Sequence, residues 1–355
     1  MHTQSKFRLL VVRLGAMGDI LHALPAMTSL REAHPSWQID WVVEPRWSPL
    51  LSAEGSSVRD AALQPVVDRL YLVPIKAWGR KPLHRSTRDQ IRALRRELAA
   101  ATYDAVVDFQ GAVRSAWIAR MARSKRVIGE ARPRERLASL LFHERVATHG
   151  SHVIEQDVEL AAVVAGDALQ PVQPWLPVDP AAEASADRLL APCKSRPMIL
   201  INPGAGWGAK RWPVERYAEV AAELIQRGCC VLVNAGPGEE SLADVIANET
   251  GGKAILLGGD LGQLIAVTRR ISLAIAGDTG PLHLACALGR PVVGIYGPTA
   301  PSRNGPFGTR FKVLRNPESR RDHTRREAPE SGLLTIEPAH VLEAVDELLA
   351  EEKAR

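Results

Sequence analysis

The sequence predicts an α/β protein built from two doubly wound domains, each a parallel sheet with helices on both faces. Short, continuous apolar runs such as FRLLVVRL (7–14) and SLAIAGD (272–278) are typical of strands buried on both faces. Segments with helical spacing alternate with them, as in TRDQIRALRRELAAA (87–101). A chain of 355 residues also exceeds what one hydrophobic core usually supports, so two domains are expected.

The segment 170–197 separates the two halves. It is rich in proline and alanine, which predicts an interdomain linker followed by a short helix. The predicted domains are Rossmann-like and cover residues 1–172 and 173–335. The tail 336–355 predicts an amphipathic helix whose apolar side carries Val341, Leu342, Val345 and Leu348. Two such domains imply a cleft, and ligands of open parallel sheets bind beyond the carboxyl ends of the strands.

The distribution of charge suggests an anionic partner. The formal net charge is only +5, but the stretches 76–96 and 114–136 are strongly basic. Such stretches suit nucleic acid, anionic lipid or a phosphorylated glycan, although a solvated helix face would give the same composition. Few aromatic residues accompany the second stretch and no nucleic-acid motif is recognised, so nucleic acid is the least favoured partner.

The remaining composition predicts a cytoplasmic protein. No run of about 18 apolar residues predicts a transmembrane helix, and MHTQSKF at the N-terminus does not resemble a signal peptide. The cysteines form no CxxC pair, so buried thiols are expected rather than a disulfide framework or a zinc site. They are Cys193, Cys229, Cys230 and Cys286.

The first informative loop is GAMGD (15–19), between a predicted strand and a predicted helix. Its glycines permit a tight turn and the close approach of a ligand, but GxGxxG, the dinucleotide fingerprint, is absent. Asp19 stands at the start of the helix. It either caps that helix or acts as a general base that faces the cleft.

The second loop is NPGAGWGAKRWP (202–213). It lacks the GxxxxGK[ST] spacing of a P-loop, yet a glycine-rich loop presents backbone N–H groups to an anion. Gly206 allows close approach, and Lys210 adds a positive charge. The alternative is that Lys210 and Arg211 are simply solvated.

The third loop, GPGEE (236–240), also follows a predicted strand. Glu239 there could accept hydrogen bonds from an adenine or a ribose. An acid that stabilises the first turn of a helix is the simpler interpretation.

The fourth loop, AGDTGPLHLA (276–285), is the most specific. Asp278 and Thr279 lie on a turn, and a helix is predicted to start near Pro281. Backbone amides at Thr279 and Gly280 would then form a diphosphate site at the helix N-terminus. His283 lies one turn further along, where ligand contact is favoured over a structural role. The strand-end loop GIYGPT (294–299) follows nearby.

A metal is not expected at this predicted site. No cluster in the sequence has metal-ligand spacing, so neutralisation of a diphosphate is assigned to Lys210 and to the helix N-termini.

Taken together, these loops resemble glycosyltransferase family 9, the bacterial ADP-heptose:lipopolysaccharide heptosyltransferases. The resemblance lies in GAMGDILHALPA, DWVVE, DFQG, AKRWP and GDTGPLHLACALGRPVVGIYGPT, within roughly residues 7–315. It implies a GT-B fold and an inverting, metal-independent transfer. The N-terminal domain would bind the acceptor and the C-terminal domain would bind ADP-heptose, which is a substrate and not a cofactor.

The resemblance also implies roles for individual residues. Asp19 matches the catalytic base, Lys210 the lysine that contacts phosphate, and Glu239 the acid that meets the nucleoside. The remaining donor-binding candidates are Gly18, Gly206, Asp278, Thr279, Gly280 and His283. The similarity is greatest to the branch that adds the first heptose to Kdo-lipid A, heptosyltransferase I. Its acceptor-binding loop resembles IKAWGRK (75–81), which makes acceptor candidates of Lys76, Arg80, Lys81 and, more weakly, Arg134.

Two features depart from that branch. Ala205 and Gly206 stand where its members often carry hydroxyl residues, and the polar segment 316–332 matches nothing and is expected to be a mobile loop. The alternatives are heptosyltransferase II, a family member with another donor or acceptor, and a non-catalytic nucleotide-binding protein. A lipid acceptor also implies peripheral contact with the cytoplasmic face of the inner membrane.

Overall fold

The computed structural model describes residues 6–53, 65–258, 260–322, 324 and 326–353. The chain divides into two compact units, with the division between Val178 and Asp179. Each unit contains one six-stranded sheet, and every strand pairing within the described residues is parallel.

The first unit has the strand order β3-β2-β1-β4-β5-β6. Its strands are β1 Arg8–Val12, β2 Gln38–Val43, β3 Arg69–Leu72, β4 Ala105–Asp108, β5 Val127–Glu130 and β6 Glu144–Val146. Its helices are α1 Met17–Ala33, α2 Ile75–Arg80, α3 Arg85–Ala100, α4 Val113–Met121 and α5 Val153–Ala165, with 3₁₀ turns at Pro45–Leu50 and Arg136–Leu141.

The second unit repeats this topology. Its order is β12-β11-β10-β7-β8-β9, which is the same succession read from the other edge. Its strands are β7 Met198–Asn202, β8 Cys230–Val233, β9 Ile255–Leu256, β10 Leu273–Gly277, β11 Val292–Tyr296 and β12 Phe311–Arg315. Its helices are α6 Pro180–Leu189, α7 Val214–Gln226, α8 Glu240–Glu249, α9 Leu261–Thr268, α10 Gly280–Ala287, α11 Pro301–Asn304 and α12 Pro338–Lys353.

This strand order places a topological switch point in each unit. In the first unit it lies between β1 and β4, and in the second between β7 and β10. The central strands are apolar throughout because helices cover both faces; Leu9, Leu10, Val11 and Val12 have no exposed surface. The crevice at a switch point is where doubly wound sheets bind ligands.

The division between the units differs from the predicted boundary after residue 172. The backbone N–H of Trp175 donates to Thr28 Oγ1 at 3.1 Å, and Leu176 is buried. The proline-rich linker therefore packs on the first unit until Asp179, whose carboxylate caps α6 by accepting from Ala181 and Ala182.

The predicted tail helix is α12, and it belongs to the second unit. Val341, Val345 and Leu348 lie in the core of that unit, and Leu342 packs at its edge. Because these side chains complete the core beneath the sheet, the tail is not a separate element.

The expectation of four thiols is wrong for two cysteines. Cys193 and Cys230 form a disulfide, with their Cα atoms 5.6 Å apart. The 3₁₀ turn Ala191–Cys193 brings Cys193 beside the first residue of β8, a proximity that the spacing in the sequence does not reveal. Cys229 and Cys286 are buried and lie outside this disulfide.

The described part of the chain contains no helix that is both long and apolar enough to cross a membrane.

Candidate active site

Asp19 is the third residue of α1, just beyond the tight turn that follows β1. Its Oδ2 accepts a hydrogen bond from the backbone N–H of Ala16 at 2.9 Å, and its Oδ1 lies 3.2 Å from Arg13 Nη2. Asp19 therefore stabilises the start of α1 from the third helical position, whereas the N-cap position predicted for it by the capping alternative is occupied by Ala16. Its side chain nevertheless remains 34% exposed, and each carboxylate oxygen has a second lone pair. The group can hold the turn and still accept a proton.

Gly15 allows this turn to be tight. Its φ is +155°, and a Cβ at this position would lie 2.8 Å from Nε1 of Trp47. The indole ring of Trp47 packs against Gly15. The guanidinium carbon of Arg46 lies 4.3 Å from the centroid of that ring. A side chain at residue 15 would displace Trp47 from the turn that holds Asp19.

Arg13 was missed by the sequence analysis. It is almost fully buried, and its Nη1 donates to the carbonyl of Phe109 while its Nη2 faces Asp19. The carbonyl of Arg13 in turn accepts from Trp41 Nε1 at 3.0 Å. Arg13 thus joins the loops that follow β1 and β4, on either side of the switch point. The signal available in the sequence was an arginine near the end of the apolar run FRLLVVRL (7–14), where a charged side chain needs a partner.

Asp108 organises the loop after β4. Its Oδ1 accepts from the backbone N–H groups of Gln110 at 2.7 Å and Gly111 at 3.0 Å, and Oδ2 accepts from Ser115 Oγ at 2.8 Å. Burial raises the pKa of Asp108 to about 6, although these hydrogen bonds and the charge of Arg13 oppose the rise. The motif DFQG contains this residue, although the sequence pattern assigns no role to it.

A second buried carboxylate, Asp157 on α5, lies within electrostatic range of Arg13 and Asp19. Burial raises its pKa to about 7, Arg13 lowers it, and Asp19 and Glu130 raise it further. Among the described residues its Oδ2 has no hydrogen-bond partner. Arg13 is therefore a buried cation near several carboxylates of the first unit, and the side chain of Asp19 is the one of these that is paired with it while one-third exposed.

The acceptor candidates lie at the same edge of the first sheet. Lys76, Arg80 and Lys81 are exposed on α2 and immediately after it, beyond the carboxyl end of β3. IKAWGRK is thus mostly a short helix and not a loop, because buried Trp78 anchors it by donating from Nε1 to Gln90 Oε1 at 2.7 Å. Arg134 is exposed beyond β5, and a Cβ on Gly111 would lie 3.1 Å from its backbone nitrogen.

In the second unit, the loops after β7 and β10 meet through charged groups. Lys210 Nζ forms an ion pair with Asp278 Oδ2 and lies 4.3 Å from the ring centroid of Trp207. Nε2 of His283 donates to Asp278 Oδ1 at 3.2 Å, which requires the proton on that nitrogen. The exposed fractions of the three paired side chains are 12% or less. Three donor-binding candidates are therefore in direct contact.

These contacts determine the charge of Asp278. Burial raises its pKa, but the hydrogen bond from His283 and the charges of Lys210 and His283 outweigh that effect, so the pKa lies well below the usual range. The carboxylate is a fixed negative charge that is already bonded on both oxygens. It positions Lys210 and His283 and is poorly suited to accept a proton.

Thr279 and Gly280 start α10 as the sequence predicts. Thr279 occupies the cap position, Gly280 is the first helical residue and Pro281 the second. Thr279 Oγ1 donates to the carbonyl of Gly277 at 3.2 Å. This hydroxyl therefore makes no capping hydrogen bond to the first backbone N–H groups of the helix. Those N–H groups are oriented to bind an anion.

Glu239 belongs to the loop after β8 and also contacts the loop after β7. Its Oε2 accepts from the backbone N–H of Gly236 at 3.2 Å, and its carboxylate faces Gly204, where any side chain would collide with it. It directly precedes α8, so the interpretation as a helix-initiating acid holds for its position. Its carboxylate, 19% exposed, also bridges the loops after β7 and β8.

The two remaining glycine candidates, Gly206 and Gly18, lie in different units. Gly206 is exposed in the loop after β7, and a Cβ there would meet nothing within 4 Å. Gly18 lies in α1 beside Asp19, in the first unit, and is not among the donor candidates that the second unit gathers.

The polar segment 316–332 contacts the donor loops. The backbone N–H of Ala209 donates to Arg326 O at 2.9 Å, that of Glu330 donates to Ala209 O at 3.2 Å, and that of Asp322 donates to Pro298 O at 3.1 Å. Residues 323 and 325 lie outside the described residues. The described part of the segment is therefore a strap over the loop that carries Lys210, which the sequence alone did not indicate.

No group of three His, Cys, Asp or Glu side chains within the described ranges has the arrangement of a metal site.

Comparison with known proteins agrees with this geometry. The family model described as glycosyltransferase family 9 (heptosyltransferase) matches residues 91–333. Lipopolysaccharide heptosyltransferase 1 of Pseudomonas aeruginosa is 31% identical over 306 residues, which cover 85% of this chain and 81% of that protein. Lipooligosaccharide heptosyltransferase 2 of Haemophilus influenzae is 26% identical over 366 residues, with coverage of 96% and 99%.

Solved structures agree as well. E. coli heptosyltransferase WaaC with ADP superposes with a TM-score of 0.77 at 27% identity, covering 96% of this chain and 100% of that one. E. coli ADP-heptose lps heptosyltransferase II shares the fold with a TM-score of 0.76, covering 98% of this chain and 100% of its own. The predicted GT-B class, with two parallel six-stranded sheets, is confirmed. The chain belongs to glycosyltransferase family 9.

Proposed function

We propose that this enzyme transfers heptose from ADP-heptose to the Kdo-lipid A inner core of lipopolysaccharide, with inversion and without a metal ion. One observation carries the proposal. Each unit presents a charged group at its own switch point, a partly exposed carboxylate in the first and a lysine–carboxylate–histidine cluster at a helix N-terminus in the second. The first suits deprotonation of an acceptor, and the second suits a diphosphate.

In the proposed reaction, the acceptor hydroxyl attacks the anomeric carbon of the heptose. The new C–O bond forms as the bond to the diphosphate breaks, and ADP leaves with that electron pair from the opposite face. The hydroxyl proton moves to Asp19, which Arg13 and the amide of Ala16 hold in one orientation. The base therefore needs no reorganisation before the attack.

Lys210 and the first amides of α10 have the proposed role of neutralising the charge that develops on the diphosphate. Lys210 is bonded to Asp278, so a diphosphate would share or displace that bond. Glu239 is proposed to accept hydrogen bonds from the nucleoside, because its carboxylate lies between the loops after β7 and β8. Lys76, Arg80, Lys81 and Arg134 are the proposed contacts for the carboxylates and phosphates of the acceptor.

The test is acceptor-dependent release of ADP from ADP-heptose in the presence of Kdo-lipid A, with EDTA added. Transfer should add the mass of one heptose to the glycolipid and proceed in the chelator. Binding of ADP-heptose without transfer to any acceptor would instead identify a non-catalytic nucleotide-binding protein.

A second candidate is the heptosyltransferase II reaction, which uses an acceptor that already carries a heptose. The relatives named heptosyltransferase 2, at 26–27% identity, favour keeping it. A competition between Kdo-lipid A and its monoheptosylated form separates the two reactions. Preference for the heptosylated glycolipid would overturn the first-heptose assignment.

The proposed acceptor also suggests where the enzyme works. Kdo-lipid A is anchored in a bilayer, so we place the enzyme in the cytoplasm with peripheral contact at the inner membrane.

A further inference from the structure

One face of the first unit exposes apolar side chains that its core does not use. On α4, Val113 and Trp117 are 38% and 45% exposed, and on the 3₁₀ turn Arg136–Leu141, Leu137 and Leu140 are each 68% exposed. We call these four side chains the α4 patch. Exposed leucines and a tryptophan that lie together are unusual on a soluble surface and mark a contact site.

On each element of the α4 patch, the two exposed apolar side chains lie on one side. Val113 and Trp117 are four residues apart on one helix face, and Leu137 and Leu140 are three apart on a 3₁₀ turn, where such residues align. Their neighbours Ala116 and Ala138 point inwards into the core. On both elements, the side chains of the α4 patch are therefore the ones that face away from the core.

Hydrogen bonds hold the two elements together. The backbone N–H of Val113 donates to Glu135 Oε2 at 2.8 Å, and that of Glu135 donates to Gly111 O at 2.9 Å. At the other end of α4, Arg120 is hydrogen-bonded to His143. The α4 patch is thus a rigid surface supported at both ends.

Charge around the α4 patch is positive. Exposed arginines lie on the same two elements and on the segment just before the 3₁₀ turn, namely Arg114, Arg120, Arg132, Arg134 and Arg136. Within 111–143 the acidic residues are Glu130, which is half-buried, and Glu135, whose carboxylate is bonded to the N-terminus of α4. An apolar centre with a tryptophan and a rim of arginines matches the interface of a bilayer that contains anionic lipids.

We propose that the α4 patch docks the enzyme on an anionic lipid bilayer, with its apolar side chains among the headgroups and its arginines on lipid phosphates. Arg134, an acceptor candidate, lies in the same rim, so docking would bring an embedded glycolipid to the binding surface. The inference deepens the proposed function, but it is tested without donor or acceptor. Loss of vesicle binding and loss of transfer are therefore separate results.

The experiment measures partitioning of the full chain onto vesicles of phosphatidylethanolamine and phosphatidylglycerol, with phosphatidylcholine vesicles as the neutral reference. The double variant Leu137→Gln/Leu140→Gln should lose roughly tenfold or more in partition coefficient, because two apolar groups no longer leave water. The matched control is Leu334→Gln, an exposed leucine on a 3₁₀ turn of the second unit, which should bind like the parent chain.

A second variant tests the charged rim. Arg132→Gln/Arg136→Gln should weaken binding to the anionic vesicles by roughly tenfold and flatten its dependence on salt. Circular dichroism and transfer to a detergent-dispersed acceptor should remain normal for both double variants, which shows that they fold.

Two results would overturn the proposal. One is partitioning of the parent chain that does not exceed its binding to neutral vesicles at low salt. The other is equal partitioning of the parent and the Leu137→Gln/Leu140→Gln variant. Concentration-dependent dimers that this variant abolishes, without vesicle binding, would assign the surface to a second copy of the chain.

Discussion

The two switch points carry carboxylates of opposite character. Asp19, in the first unit, forms an ion pair with the buried Arg13, and its side chain is one-third exposed. Asp278, in the second unit, is 9% exposed, and its two oxygens are bonded to Lys210 and His283. The same topology thus presents one carboxylate that is open to a ligand and one that is closed. The difference teaches that the fold supplies the position and the neighbouring side chains supply the role.

The largest expected effect tests the open carboxylate. Asp19→Asn should lower turnover by about 10²–10⁴-fold, because the amide cannot take the acceptor proton, while ADP still binds. The measurement is turnover at saturating substrates together with calorimetric binding of ADP. Asp89→Asn, an exposed aspartate on α3, is the control and should retain parent activity. Near-normal turnover of Asp19→Asn would remove it from the role of base.

The next effect tests the closed pair. Lys210→Met leaves Asp278 buried without its cation, and breaking such a pair typically costs about 3–5 kcal/mol. We expect a lower unfolding free energy, a higher KM for ADP-heptose and slower turnover. Urea unfolding and steady-state kinetics measure these quantities. The double variant Lys210→Met/Asp278→Asn should recover stability but not donor affinity. If both single and double variants bind donor like the parent, Lys210 is merely structural.

The pH dependence of stability should differ in sign between the units. The pKa of Asp278 is depressed in the folded state, so its stabilisation is present above the unfolded value of about 3.9 and is lost as the pH falls further. Asp278→Asn should therefore flatten the acid limb of a curve of unfolding free energy against pH. An unchanged acid limb would contradict the assigned contacts.

Asp157 should act in the opposite direction. Its folded pKa is raised to about 7, so the native state binds the extra proton and stability falls as the pH rises from about 4 to about 7. Asp157→Asn should remove that loss, which amounts to at most about 4 kcal/mol at pH 8. The comparison is the unfolding free energy of parent and variant at pH 5 and pH 8. If the unfolding free energies of parent and variant differ by the same amount at pH 5 and pH 8, Asp157 does not titrate in this range.

The smallest effect concerns the strap over the Lys210 loop. A Cβ on Gly208 would collide with the backbone of Glu327, whereas a Cβ on Gly206, in the same loop, would meet nothing within 4 Å. Gly208→Ala should cost about 1–3 kcal/mol of stability, and Gly206→Ala should be neutral or slightly stabilising. Thermal melts of the two variants measure the contrast. Equal melting temperatures would mean that the strap is not held at Gly208.

Tertiary structure decided what short-range patterns could not show. The edge strands β6 and β12 were not predicted, because they carry charged residues and every residue in them is half-buried or exposed, so neither forms a continuous apolar run. Arg13, Asp108 and Asp157 were not assigned to the site either. Their roles depend on contacts between β1, β4 and α5, which lie far apart along the chain.

The sequence alone determined the class of fold, the family and most of the candidate positions. Continuous apolar strands specify parallel sheets, and glycine, aspartate and lysine in the loops after those strands specify where ligands can bind, because both signals act over a few residues. Only the tertiary structure decided that Asp19 stays open while Asp278 closes on Lys210 and His283. Burial and pairing set the chemistry of a carboxylate, and both arise when distant segments pack together.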